Sequence, residues 1–144
     1  MTRLAALALL VLSSGCSMFG ASRGERALAD ARAVWNASGP SAYTMTQERL
    51  CFCGPETTGP FDATVRDGAV TAATRDGETV PTDRVRTVDG LFDVLADAYR
   101  RDARRVDVTY HPTLGYPTSI WIDYVDEVAD DEQGYRVTTL APRD

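Results

Sequence analysis

The pair Cys51 and Cys53 is the part of this sequence whose residue types and spacing best suit chemistry. In a regular strand, alternate residues lie on one side with Cα atoms about 6.6 Å apart, which is near the upper limit of Cα separation for a disulfide. Gly54 and Pro55 follow at once and favour an end to the strand, which would let the backbone bend. Three interpretations stay open: a structural disulfide, two free packed thiols, or a redox or metal role. At a metal, the single histidine, His111, would join the cysteines.

A second candidate is an acidic segment between two predicted strands. It places six carboxylates within ten residues: Asp123, Asp126, Glu127, Asp130, Asp131 and Glu132. Oxygen clusters of this kind can bind calcium. The calcium candidates are Asp126, Asp130, Asp131 and Glu132. Because the spacing does not match an EF-hand loop, we expect a solvated acidic turn that repels other strand edges, with a calcium site as the alternative.

The common signatures of catalysis are missing from the chain. It has no G-x-S-x-G, no H-E-x-x-H, no P-loop and no glycine-rich dinucleotide fingerprint. A nucleophile activated by histidine would have to use His111, which lies in a predicted exposed turn. We therefore expect no catalytic residue, no cofactor and no enzymatic activity.

The amino terminus has the pattern of a bacterial lipoprotein signal. Met1–Arg3 is a short positive segment, Leu4–Leu12 is apolar, and Ser13–Gly15 are small residues directly before Cys16. The apolar run is too short to span a bilayer, which needs roughly 20 residues. The pattern predicts cleavage before Cys16 and fatty-acid (palmitate) chains on that residue, with an ordinary secretory signal as the alternative. The predicted segments are a signal peptide at residues 1–15, the lipidated cysteine and a tether at 16–24, and one domain at 25–144.

The charge of the chain limits its partners. It has 21 acidic and 15 basic residues, all of the latter arginine, and a formal net charge of −6. A negative domain argues against nucleic acid and against electrostatic binding to anionic lipid, so the lipid on Cys16 would have to hold the protein at the membrane. Where bacteria sort lipoproteins by the next residue, Ser17 permits export to the periplasmic face of the outer membrane. In a Gram-positive cell the protein would lie on the extracellular face of the cell membrane.

The first predicted element of the domain is an amphipathic helix. Ser22 and Glu25 have the spacing of a capping box, and Gly39-Pro40 ends the helix. Its apolar face is predicted from the spacing of Ala27, Leu28, Ala31, Val34 and Trp35. Three strands are then predicted, of which the last two are joined by the turn Asp67-Gly68: Ala42–Phe52, Phe61–Arg66 and Ala69–Arg75.

The second half repeats this order of elements. Thr87 is a predicted N-cap for a helix whose apolar residues recur at helical spacing: Val88, Leu91, Phe92, Leu95, Ala98 and Tyr99. Alternating apolar residues predict three more strands, Arg105–His111, Thr118–Tyr124 and Tyr135–Leu140. The order α-β-β-β-α-β-β-β predicts an α+β domain with two helices on one face of an antiparallel sheet of about six strands. PepSY-like and beta-lactamase-inhibitor-like modules have a similar layout.

Several short motifs, taken in their order and spacing, resemble a family of bacterial envelope proteins that is classed as a domain of unknown function. These motifs are Trp35, Tyr43, Cys51-Phe52-Cys53, Asp67-Gly68, Leu91-Phe92, residues 110–117 with Gly115-Tyr116-Pro117, Asp123, and Asp130-Asp131-Glu132 with Tyr135 and Val137. The resemblance covers most of the chain after the signal. It implies an envelope location and the fold, and it brings no activity, substrate or cofactor.

These observations together predict a lipid-anchored envelope module that binds or scaffolds another envelope component and is not an enzyme. Assigning Cys16 to lipid leaves Cys51 and Cys53 as an even pair in an oxidising compartment. The alternative function is therefore a redox or metal-handling protein that uses this pair.

Overall fold

The computed structural model describes residues 21–125 and 132–143. The signal peptide and Cys16 lie outside the described residues. In chain order the elements are α1 (Arg23–Ser38), β1 (Ala42–Cys51), α2 (Pro55–Thr58), β2 (Phe61–Arg66), β3 (Ala69–Arg75), β4 (Glu78–Thr79), a 3-10 turn (Thr82–Arg84), α3 (Val88–Arg100), β5 (Arg105–Tyr110), β6 (Pro117–Asp123) and β7 (Gln133–Pro142).

The seven strands form one antiparallel sheet in the order β4-β3-β2-β1-β7-β6-β5. The predicted α+β class and antiparallel sheet are confirmed, whereas the number and order of elements differ in detail. The additional strand is β4, and the additional helix is α2. Elements of two and four residues are too short to show a hydrophobic period, so the sequence pattern does not indicate them.

Helix α1 begins with the predicted capping box. The backbone N–H of Glu25 donates to Ser22 Oγ at 3.1 Å, and the backbone N–H of Ser22 donates to Glu25 Oε2 at 2.7 Å. These bonds satisfy amide groups that the first turn leaves without helical partners. The helix starts at Arg23, within the predicted tether at 16–24. Its buried face consists of Leu28, Ala31 and Trp35.

Helix α3 supplies the centre of the core. Thr87 is its N-cap, as predicted, and Thr87 Oγ1 accepts a hydrogen bond from the backbone N–H of Gly90 at 3.0 Å. The apolar positions predicted from helical spacing are buried: Val88, Leu91, Phe92, Leu95 and Ala98. Full burial of a large apolar side chain stabilises the fold by about 1.5–3 kcal/mol, so this face holds α3 against the sheet.

The two faces of the sheet differ in their surroundings. Tyr43, Met45 and Gln47 of β1 point inward and are buried, and Trp35 of α1 packs edge-on against Tyr43 with ring centroids 5.6 Å apart. On the opposite face, Thr46 Oγ1 donates to Asp62 Oδ1 at 2.6 Å and accepts from Thr139 Oγ1 at 2.9 Å. An antiparallel sheet can have one packed and one solvated face, and this sheet follows that pattern. Among the residues described, no helix has the length and apolar character needed to cross a membrane.

Candidate functional site

The cysteine pair lies at a bend where β1 ends. Cys51 is the last residue of the strand, and Phe52 and Cys53 form the bend. The two sulfur atoms are in close contact, and the Cα atoms are 5.3 Å apart, within the range for disulfides. The separation is shorter than in a regular strand because the chain leaves the strand direction after Cys51. Cys51 is half-buried and Cys53 is exposed, so solvent reaches the pair.

The bend presents an aromatic side chain to solvent. Phe52 is 72% exposed and is one of three large apolar residues exposed in the part of the chain that the structure describes. A groove of about 380 Å³ runs beside it. Its lining is Glu48, Arg49, Leu50, Cys51, Phe52, Thr58, Gly59 and Trp121. Leu50 of β1 and Trp121 of β6 come from the face of the sheet opposite the helices, and α2 with Gly59 forms one wall.

A second groove of about 310 Å³ lies on the other side of the bend. Arg101 stacks over the ring of Tyr124, with its guanidinium carbon 4.1 Å from the ring centroid. The amide of Gln133 donates to the Tyr124 hydroxyl at 3.1 Å. Glu132 is half-buried and lines the same groove. This side of the bend is therefore polar and charged, whereas the groove beside Phe52 contains the apolar Leu50 and Trp121.

His111 has its own partners in the turn between β5 and β6. Its ring stacks on Tyr116 with centroids 4.8 Å apart, and Nδ1 accepts the backbone N–H groups of Thr113 and Leu114 at 3.3 and 3.1 Å. Nδ1 is thus engaged as a local acceptor. Within residues 21–125 and 132–143 no group of three or more His, Cys, Asp or Glu side chains could hold a metal ion. The metal interpretation of Cys51, Cys53 and His111 gains no support there.

The acidic segment is described only at its ends. Asp123 is buried, and its Oδ2 accepts from Arg104 at 2.9 Å. Of the predicted calcium candidates, Asp126, Asp130 and Asp131 lie outside the described residues, and only Glu132 lies within them. The calcium site stays a prediction.

Comparison with known proteins places most of the chain in one family. Residues 27–142 match DUF6174, a family of unknown function. The chain belongs to this family. No curated protein and no solved structure matches it. The match within DUF6174 includes α1 from residue 27 and the sheet, and so the predicted resemblance to a family of unknown function is confirmed.

In this DUF6174 chain, a group of arginines near the cysteine bend is not predicted by any sequence motif. Arg49 lines both grooves beside the bend and two further clefts, one of which is also lined by α3. A signal was available, because the alternation of Tyr43, Met45 and Gln47 along β1 places Arg49 on the inward face. Arg84 and Arg86 lie in the segment before α3, and nothing in the sequence indicates that they meet Arg49.

Two tyrosines have strongly raised pKa values. Burial raises the pKa of Tyr43 to about 12, although the backbone N–H of Val88, which donates to its hydroxyl at 2.9 Å, acts in the opposite direction. Burial also raises the pKa of Tyr110, whose buried hydroxyl has no hydrogen-bond partner among the residues described. Both groups belong to the packed interior and stay neutral at physiological pH.

Proposed function

We propose that this chain is a membrane-anchored envelope lipoprotein whose domain binds another envelope protein through the Phe52 groove. The groove is the space of about 380 Å³ beside Phe52 that contains Leu50 and Trp121. The observation that carries the proposal is the 72% exposure of Phe52 at a bend closed by the contact between Cys51 and Cys53. Exposed aromatic anchors beside a groove are typical of protein-binding surfaces.

The bend lowers the entropic cost of binding. A short covalent ring would hold the backbone of Phe52 in one orientation, so little freedom would be lost when a partner covers it. We propose that Cys51 and Cys53 form this disulfide in the oxidising envelope. The expected partner is a protein segment that inserts an apolar side chain between Leu50 and Trp121. The proposal needs no catalytic group, in keeping with the absence of catalytic signatures in the sequence.

The anchor follows from the sequence rather than from the domain. Residues 1–15 act as the signal peptide, Cys16 carries the lipid, and the tether joins the lipid to the capped start of α1. The chain is acidic, so charge would not hold it to an anionic membrane. We also propose, from the order of helices and strands, that the domain has the layout of PepSY-like or beta-lactamase-inhibitor-like modules.

Mass spectrometry of the protein isolated from membranes tests the anchor. We expect a mature chain that begins at an acylated Cys16. An unmodified amino terminus, or a start elsewhere, would refute the anchor without affecting the groove.

Photo-crosslinking in intact cells tests the binding surface. Phe52 is replaced by benzoylphenylalanine, and the matched control carries the same group at Val34, an apolar residue of α1 that is 41% exposed. We expect a discrete crosslinked product from position 52 and none from position 34. Adding Leu50→Asp should remove the product, because a charge in the groove opposes an apolar insertion. Equal products from both positions, or a product that survives Leu50→Asp, would refute the groove.

The alternative is a redox function of the same pair, favoured by the close contact of the sulfurs and the exposure of Cys53. Titration against a dithiol buffer distinguishes the two. A couple that interconverts readily in buffers near the envelope potential supports redox chemistry, and a pair that stays oxidised supports a structural bend.

A further inference from the structure

Arg49 lies at a position of β1 where the alternation of side chains predicts a core residue. It follows Gln47 on the inward face of β1, and it pairs with Tyr135 of β7. Its Nε atom is buried and has no hydrogen-bond partner in residues 21–125 and 132–143. A buried donor without an acceptor is costly, and most such donors in proteins find a partner.

Arg86 is held near the same face by a two-point clamp. The side-chain amide of Gln47 donates to Arg86 O at 2.9 Å, and Gln47 Oε1 accepts the Arg86 backbone N–H at 2.9 Å. Gln47 is only 2% exposed, so the clamp is fixed in the core. It fixes the backbone of Arg86 directly before α3, while the residue remains exposed.

Two further clefts share Arg49. One, of about 360 Å³, is lined by Arg49, Arg86, Gly90, Asp93, Val94, Asp97, Gln133 and Tyr135. The other, of about 260 Å³, is lined by Arg49, Thr57, Pro81, Asp83 and Arg84. Arg49 therefore lies between a cleft that Arg86 lines and a cleft that Arg84 lines, and both arginines belong to the segment that leads into α3.

The charges in this region do not balance. Asp93 accepts from Arg32 at 2.6 Å, and Asp97 forms ion pairs with Arg100 and Arg101. By contrast, the side chains of Arg49, Arg84 and Arg86 have no ion pair in the described part of the chain, and the one other carboxylate, Asp83, has none either. Three cations and one anion leave a local excess of two positive charges, in a protein whose formal net charge is −6.

We propose that Arg49, Arg84 and Arg86 bind a phosphate monoester or inorganic phosphate, and we call this region the arginine site. A phosphate group carries about two negative charges at neutral pH, which matches the local excess. Guanidinium forks suit tetrahedral oxyanions because each can donate two parallel hydrogen bonds. A phosphate oxygen would also supply the acceptor that Arg49 Nε lacks. The arginine site shares Arg49 with the Phe52 groove, but Arg84 and Arg86 do not line that groove.

Calorimetric titration of the full chain, purified in detergent, with inorganic phosphate tests the arginine site. Sodium chloride at matched ionic strength is the salt control. We expect saturable binding and a higher Tm in phosphate, because a ligand that binds only the folded state stabilises it. Arg86→Gln and Arg49→Gln should each weaken binding by about tenfold or more. Arg23→Gln, an equal charge change on the first turn of α1, should leave the affinity unchanged.

Some outcomes identify the source of the phosphate, and others would show that the site does not bind phosphate. Tighter binding of inorganic phosphate than of a soluble short-chain phosphatidic acid, whose headgroup is a phosphate monoester, indicates a free phosphate, and the reverse order indicates a lipid headgroup. No saturable binding at millimolar concentration, an equal effect of chloride, or an equal loss in Arg23→Gln would overturn the site. Circular dichroism checks the fold of each variant, and Arg84→Gln provides an independent test if Arg49→Gln fails to fold. Phe52→Ala should leave phosphate affinity unchanged. The phosphate test therefore holds even if no protein binds in the Phe52 groove.

Discussion

Replacing Tyr43 by Phe should change how stability depends on pH, and the structure gives the direction and size of the change. Tyr43 is 3% exposed, and its hydroxyl accepts the backbone N–H of Val88, the first residue of α3, at 2.9 Å. Tyr43→Phe retains the ring that packs against Trp35 and removes only the acceptor. Val88 is fully buried, so its N–H would have no replacement partner from water. The expected cost at neutral pH is about 1–3 kcal/mol.

At alkaline pH the same substitution should become favourable. The pKa of Tyr43 is about 12 in the folded protein and 10.0 in a model compound, because burial disfavours the phenolate. A group whose pKa is raised on folding contributes its full stability below the unfolded pKa. That contribution is lost as the pH rises through the folded pKa. The difference corresponds to about 3 kcal/mol in total, of which about 2 kcal/mol is lost by about pH 11.5. Phenylalanine cannot ionise, so the variant avoids this loss.

Urea unfolding of the wild type and the variant from about pH 7 to about pH 11.5 measures both effects. The chain has no lysine, so no lysine titration complicates this range. We expect the wild type to be more stable at neutral pH and the gap to close or reverse at the alkaline end. Tyr135→Phe is the matched control, since Tyr135 is also 3% exposed. A gap between the wild type and Tyr43→Phe that is constant with pH would refute the assignment of the alkaline loss to Tyr43.

Three further substitutions test the packing by thermal or urea unfolding. Gly115→Ala should destabilise by at least about 2 kcal/mol, because φ is +74° and a Cβ atom would lie 2.5 Å from the carbonyl oxygen of Ala31. Wild-type stability in this variant would mean that the turn and α1 are not in contact. Gln47→Leu should cost about 2 kcal/mol or more by leaving both backbone groups of Arg86 unpaired, and an unchanged urea midpoint would contradict the clamp. Leu95→Ala, at a fully buried site, should cost about 2–5 kcal/mol, and a loss below 1 kcal/mol would place Leu95 outside the core.

The two long helices and six of the strands could be predicted because their sequences carry strong local signals. The capping box of α1 and the period of α3 act within a few residues, and the Asp67-Gly68 hairpin has positive φ at both positions. Boundaries were less accurate. β7 extends to Gln133–Pro142, two residues beyond the prediction at each end, because its pairing with β1 continues past the alternating apolar residues.

The arrangement of the candidate sites could not be predicted, because it depends on contacts between distant segments. The two fixed points that hold β1 to the start of α3 join residues 39 and 45 positions apart in the chain. No periodicity or motif reports such a pairing. The close approach of Cys51 and Cys53 was only one of several interpretations, since a regular strand would have kept them further apart.

The central strand β1 connects the stable core with the proposed binding surfaces. The part of β1 from Tyr43 to Gln47 is held to the start of α3 through hydrogen bonds of these two side chains in the interior. Its last residues are no longer fully buried. Among the described residues, Arg49 Nε has no hydrogen-bond partner there, and the exposed Phe52 follows the strand. Substitutions at Tyr43 and Gln47 should therefore act on unfolding, whereas substitutions at the exposed Phe52 should act on binding. This separation makes the Phe52 groove testable without loss of the fold.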